Sequence, residues 1–211
     1  MPVAFLVLAA LAMVAITVDF NVNHQDWASS DNAELMAPTY AVMAPASGRV
    51  TAWTSRMPGS RLGTGERLGT LATQQGTIVL TVPHSGRLVG DYAYSGDIVA
   101  QGQEVALIAD LRRAYVLAYV TETSAGKIKA GQTADLHFAD EPGTLVVGTV
   151  RHVYPAVASV VWPVPSLALS QAYSKQAQWV PVSISLPSGY GLRRYLGMSA
   201  SVRIAIGGGG S

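Results

Sequence analysis

Four histidines, a few carboxylates and some paired arginines are the groups in this chain that could do chemistry. His24, His84, His137 and His152 are widely spaced, and no H-x-H or H-x-x-x-H pair sets two imidazoles on one face to hold a metal. His137 with His152, and Asp140 nearby, is the one conceivable two-histidine site; strand residues with one wet face explain them better. Asp140 and Glu141 are adjacent carboxylates, but Pro142-Gly143 follows, so a solvated hairpin tip fits better than acid/base catalysis. No G-x-S-x-G elbow strains a serine into a nucleophile, and no G-x-x-x-x-G-K-[ST] loop is present to cradle a phosphate. Cysteine is absent, which removes disulfides, thiolate metal sites and cysteine nucleophiles together. These residues predict no active site, no cofactor and no metal centre.

Binding residues are easier to nominate. Val153 to Tyr173 carries Tyr154, Trp162 and three prolines, Pro155, Pro163 and Pro165, which exclude a central strand. It predicts an ordered loop across one end of a barrel, where aromatic rings could stack on sugar faces. Capping of a core, or packing on a neighbouring subunit, is the plainer role. Arg193-Arg194 and Arg112-Arg113 could touch an acidic polymer or lipid headgroups, with ordinary surface solvation as the alternative. Tyr154, Trp162, Arg193 and Arg194 are therefore the candidate cargo or interface contacts.

The elements that must position these residues follow from composition and pattern. In 211 residues, 49% are hydrophobic and 13% charged, against roughly 25% charged in an average soluble domain. That balance excludes a disordered chain. A net charge of +1 provides no field for a phosphate backbone, so nucleic acid is not expected as a partner. Gly 21 and Pro 11 beside Phe 3 predict many turns and short strands rather than a helical bundle. Val3 to Val18 reads VAFLVLAALAMVAITV, sixteen residues without a charge, and extension to Val22 approaches the roughly 20 that a bilayer needs. With no basic residue before it and no small-x-small pair after it, the run reads as a retained anchor over 1–22 rather than a cleaved signal peptide. Asp19, Asp26, Asp31 and Glu34 follow, with no Lys or Arg until Arg49, which places the body outside the inner membrane, in the periplasm. Gly207 to Ser211, GGGGS, reads as an engineered linker and is set aside.

The chain also repeats itself. Ala44-Pro45-Ala46-Ser47-Gly48-Arg49-Val50 matches Val82-Pro83-His84-Ser85-Gly86-Arg87-Leu88 at an offset of 38. Gly59 to Leu62 and Gly65 to Ala72 match Gly96 to Val99 and Gly102 to Ala109 at 37. Each half is thus P-x-S-G-R-Φ, then glycines every few residues with apolar residues between them, the pattern of short strands and Gly turns. Two copies of one half predict two similar β layers packed face to face.

This pattern over Val42 to Asp110 resembles the biotinyl/lipoyl-like domain, a sandwich of two hammerhead halves. In carriers of that fold a lysine on the joining hairpin bears the cofactor. Here the hairpin reads Thr73-Gln74-Gln75-Gly76 and the first lysine of the chain is Lys127, so a swinging-arm carrier is excluded. With a membrane helix before it and strand-like segments after it, the chain resembles the periplasmic adaptors, or membrane fusion proteins of the HlyD type. Lys129 to Leu136 is similar to the adaptor barrel's x-x-G-Q signature, and Gly197 to Ile204 to its closing strand, with Trp179 to Leu186 as that strand's partner. Tyr115 to Val120, Thr133 to Phe138 and Thr144 to Val153 supply further strands, with Gly148 marking a bulge or a close backbone approach.

The expected fold is mainly β, with an anchor over 1–22, a linker over 23–41, the lipoyl-like sandwich over 42–110 and an adaptor β-barrel over 111–206. Most adaptors carry a long helical hairpin between the sandwich halves, whereas here Ala72 to Ile78 leaves no room for one. The resemblance implies a non-enzymatic, homo-oligomeric subunit beside an inner-membrane transporter or polysaccharide synthase, with barrel and sandwich edges pairing between copies to form a conduit. The missing hairpin turns the expectation toward exopolysaccharide export, with drug or peptide efflux and a stand-alone glycan-binding module as alternatives.

Overall fold

The computed structural model describes residues 27–158, 178–193 and 195–206. The predicted anchor and the GGGGS segment lie outside them; among the described residues no helix is long and apolar enough to cross a membrane. In chain order the strands are β1 (Trp27–Met36), β2 (Thr39–Met43), β3 (Gly48–Trp53), β4 (Arg61–Leu62), β5 (Arg67–Thr73), β6 (Gly76–Thr81) and β7 (Gly86–Asp91). They continue with β8 (Ile98–Val99), β9 (Glu104–Ala109), β10 (Tyr115–Thr121), β11 (Thr133–Phe138), β12 (Glu141–Val153), β13 (Trp179–Ser185) and β14 (Ser199–Ala205). A single-turn helix, α1 (Glu122–Ala125), and 3-10 turns at Leu111–Arg113 and Tyr190–Arg193 complete the described structure. The mainly β expectation is met. The chain divides into two compact units, a barrel of β1 and β10 to β14, and a sandwich spanning Ala37–Ala114 with Ser188–Arg194.

In the sandwich, one sheet has the order β2-β9-β7-β4 and the other β6-β5-β3-β8. Exchanging β2 with β6, β3 with β7, β4 with β8 and β5 with β9 converts one order into the other, so the sequence repeat is a two-fold pseudo-symmetry. Each sheet draws strands from both halves, because β4 crosses to pair with β7 and β8 crosses to pair with β3. The Ser-Gly-Arg signature has a steric cause. A Cβ on Gly48 would strike the Ala72 carbonyl, and one on Gly86 would lie 2.5 Å from the Ala109 carbonyl. The arginine that follows reaches a turn in the opposite half: Arg49 Nη1 donates to Gly96 O at 2.8 Å and Arg87 Nη1 to Gly59 O at 2.6 Å. Between the sheets the core is built from equivalent pairs, Val50 with Leu88, Leu62 with Val99 and Leu71 with Ile108, all buried. Burial of each such side chain contributes about 1.5–3 kcal/mol.

The second unit is a closed antiparallel barrel in the order β1-β10-β13-β12-β11-β14. β14 closes it between β1 and β11, and β13 pairs with β10 and β12, so Trp179 to Leu186 is not the partner that the sequence assigns to the closing strand. Residues 27–36, read as linker from sequence, form β1; WASSDNAELM alternates weakly, and a register shift between Ser30 and Ala33 interrupts its ladder. Closure leaves no sheet edge, which corrects the expectation that barrel edges pair between copies. Leu35, Val116, Leu136, Phe138, Val182, Ile184 and Ile204 are buried in this unit. Gly148 is the close approach predicted for it: a Cβ there would sit 2.7 Å from Ile184 Cγ2 and 2.8 Å from Ser185 O. Pro181 lies inside β13 opposite Tyr119 of β10 and just beyond the last β12–β13 pair, Val153 with Val182; its carbonyl accepts from Tyr154 N–H at 3.0 Å.

Candidate functional site

The nominated residues are scattered by the fold. Trp162 and Arg194 lie outside the described residues, and Arg193 closes the Tyr190–Arg193 turn. Tyr154 follows β12, half-buried, with its N–H donating to Pro181 O at 3.0 Å and its ring edge-on to His152 at 4.9 Å. His152 is thereby an aromatic neighbour, not half of a metal site. His137 lies beside the Leu136–Val146 pair, and His152 is six residues further along β12, roughly 20 Å away at the rise of a strand. His84 packs its ring on Tyr40 at 4.2 Å.

Sequence reading missed the neighbours of Tyr154. Tyr115 and Tyr119 alternate with the inward Val116, Ala118 and Val120, so they face outward from β10, beside Glu34 of β1. Burial raises both phenols above their ordinary value; Tyr154 and Glu34 add to this at Tyr115, and Glu34 at Tyr119. The signal was present as alternation within YVLAYVT, but only pairing of β1 with β10 brings Glu34 to it.

The sandwich offers a different kind of surface. Its short edge strands, β4 and β8, are two residues each, whereas β2 and β6 are the long outer edges, related by the pseudo-dyad. Both lie in uncharged sequence, Leu35 to Gly48 and Leu68 to Gly86. β6 is the more open: Gly76, Thr77, Val79 and Thr81 are exposed, and its ladder runs to β5 alone. An edge without charge or proline is a template for another strand, and proteins that must stay apart blunt such edges. The joint between the halves is a tight turn: Thr73 pairs with Gly76, Thr73 Oγ1 donates to Gly76 O at 2.8 Å, and Gln74 and Gln75 span the gap. No helical hairpin stands there.

A two-fold lipoyl-like sandwich followed by a six-stranded closed barrel is the arrangement that the resemblance to adaptor proteins implies. The solved structures agree. ZneB from Cupriavidus metallidurans superposes with a TM-score of 0.66 at 15% identity, over 84% of this chain and 98% of that one. The periplasmic adaptor protein EmrA gives 0.56 at 12% identity, over 85% and 98%. At these identities the likeness is one of fold. No protein-family model matches the chain. The relationship in sequence comes from "Putative efflux system component YhbJ" of Bacillus subtilis (strain 168), 30% identical over 182 residues, covering 85% of this chain and 80% of that one. The chain belongs to the membrane fusion protein, or periplasmic adaptor, family.

Proposed function

We propose that this chain is the adaptor subunit of an efflux machine, and that its copies associate through the sandwich to form part of a conduit. Residues 1–22 anchor it in the membrane, and sandwich and barrel stand on the outer, periplasmic side. The role is structural rather than enzymatic. The observation that carries this reading is the uncharged β6 edge beside a joint too short for a helical hairpin. It leaves strand addition at the sandwich as the means of assembly, since the barrel is closed.

Efflux takes precedence for the cargo because of the relative. A component named for efflux is matched over 80% of its length by this chain. Exopolysaccharide export, with a synthase as membrane partner, is the second reading; it rests on the short joint.

Native mass spectrometry of the full chain, extracted in mild detergent from its own host, tests the proposal. A homo-oligomer carrying a polytopic subunit is the expected result. A monomer with nothing attached would refute it. The bound subunit, pump or glycosyltransferase, then separates the two cargo classes.

A further inference from the structure

The pseudo-symmetry supplies an internal control. Residues that the sandwich needs for folding recur in both halves, and charged residues present in only one half point to another use. At the start of β7, Arg61, Arg87, Asp110 and Arg112 gather with Ser85 around a cavity of about 250 Å3. The equivalent positions in the other half are Ile98, Arg49, Thr73, Gln75 and Ser47. Among the charged positions only the Arg87/Arg49 pair is common, and both of those arginines bind turn carbonyls as part of the fold. Arg61 and Arg112 are additions.

Their charge is not balanced from within. Arg61 faces Arg87 directly across the β4–β7 ladder, an arrangement that destabilises a sheet when both residues are cations. Asp110 is the single carboxylate on the lining and it is engaged: its Oδ1 accepts from Arg112 N at 3.2 Å and Arg112 Nε at 3.1 Å. Arg112 Nη2 donates to Ser85 Oγ at 3.1 Å, which draws this guanidinium over the start of β7. Among the described residues no carboxylate lies within ion-pair distance of Arg61 or Arg87, and Arg87 Nε is enclosed without an acceptor. Three guanidiniums against one carboxylate leave two positive charges without an internal partner.

We propose that this cavity binds a phosphate group, either as free phosphate or as the monoester headgroup of a phosphatidic acid. A phosphate monoester carries about −1.5 to −2 at neutral pH, which matches the unpaired charge; a single carboxylate would leave one cation over. The planar fork of arginine presents paired donors to phosphate oxygens, and three arginines can share one tetrahedral group. Sequence pairs Arg112 with Arg113, its neighbour in the chain; the fold pairs it instead with Arg61 and Arg87, two segments away.

Isothermal titration of the full chain in mild detergent, with inorganic phosphate and with a short-chain phosphatidic acid, tests the site. Saturable binding that weakens as salt rises is expected. Similar affinity for both ligands assigns the site to free phosphate, and tighter binding of the phosphatidic acid assigns it to a headgroup. Arg61→Ile and Arg112→Gln introduce the residues that the other half carries, so the fold accommodates them, and each weakens binding about tenfold. Arg49→Gln removes the symmetry mate of Arg87 and leaves binding unchanged, which separates the site from a general loss of positive charge. Absence of saturable binding to both ligands, or equal binding by the Arg61→Ile/Arg112→Gln double variant with its melting temperature retained, overturns the proposal.

Discussion

Six glycines of this chain serve one turn. Gly59, Gly65, Gly96, Gly102, Gly131 and Gly197 have φ between +76° and +102°, the region that side chains on L-residues rarely enter. In each turn the glycine N–H donates to a carbonyl on a neighbouring strand or one residue past its end, and the next residue's N–H closes onto the carbonyl three residues back. In four of them the side-chain oxygen of that next residue, Glu66, Asp97, Gln103 or Gln132, also accepts from the backbone N–H three residues back. The Gly131-Gln132 signature of the barrel is thus the same device as Gly102-Gln103 of the sandwich, a turn that starts a strand already bonded to its neighbour. Gly148 is different in kind, since its constraint is space. Gly148→Ala should cost about 1–3 kcal/mol in urea unfolding by pressing on Ile184 and Ser185; Gly126→Ala, with nothing within 4 Å, should cost nothing measurable. The phenols of Tyr115 and Tyr119 make a pH prediction. Burial raises both above the ordinary value of 10.0, so the unfolded chain loses these protons first as pH rises. Their contribution is fully present below that value and is lost as pH climbs through the folded values. The urea midpoint should hold below pH 10 and fall above it, and the Tyr115→Phe/Tyr119→Phe double variant should flatten that fall; an unchanged slope would place its origin elsewhere.

At the scale of elements, local pattern was a good guide wherever a strand packs against its neighbours in sequence. Thr133 to Phe138 emerges as β11 with the bounds that alternation predicts, because TADLHF buries every second residue. β10 falls where YVLAYV places it. β1 was illegible because its partners, β10 and β14, lie about 80 and 170 residues away in the chain and its own alternation is broken by a register shift. The same logic hid the site around Arg61, Arg87 and Arg112, whose members meet only because β4 crosses to the opposite half. The edge of β6 was also beyond local reading, since whether a strand is central or peripheral depends on the sheet order. Its exposure leads to a sharp expectation. Val79 is 51% exposed on that edge strand, so Val79→Lys should leave the unfolding free energy within about 0.5 kcal/mol of the parent. It should nevertheless dissociate copies of the chain in analytical ultracentrifugation, because a charged edge resists strand addition. Retained association would move the interface away from β6.

For the whole molecule, the amino-acid sequence by itself determined the class of each layer. Its internal repeat prescribes two equivalent β halves, because glycine turns and buried apolar residues recur at the same intervals and can be satisfied only by equivalent environments. The absence of lysine before Lys127 excludes a lipoyl or biotin carrier without reference to any coordinates, since the amide-forming amine is missing. The anchor over 1–22 remains a reading of hydropathy, on residues outside those described. Tertiary structure alone decided how the halves interlock, which strand closes the barrel, and which edges stay open. Those properties depend on pairings between residues distant in the chain, and a hydrogen-bonding backbone leaves no trace of its partner in the side chains that bear it. The clustering of three arginines on one of the two symmetry-related sheets of the sandwich has the same origin. Each is an ordinary charged residue in the sequence, and they acquire a shared field only when the chain brings them to one cavity.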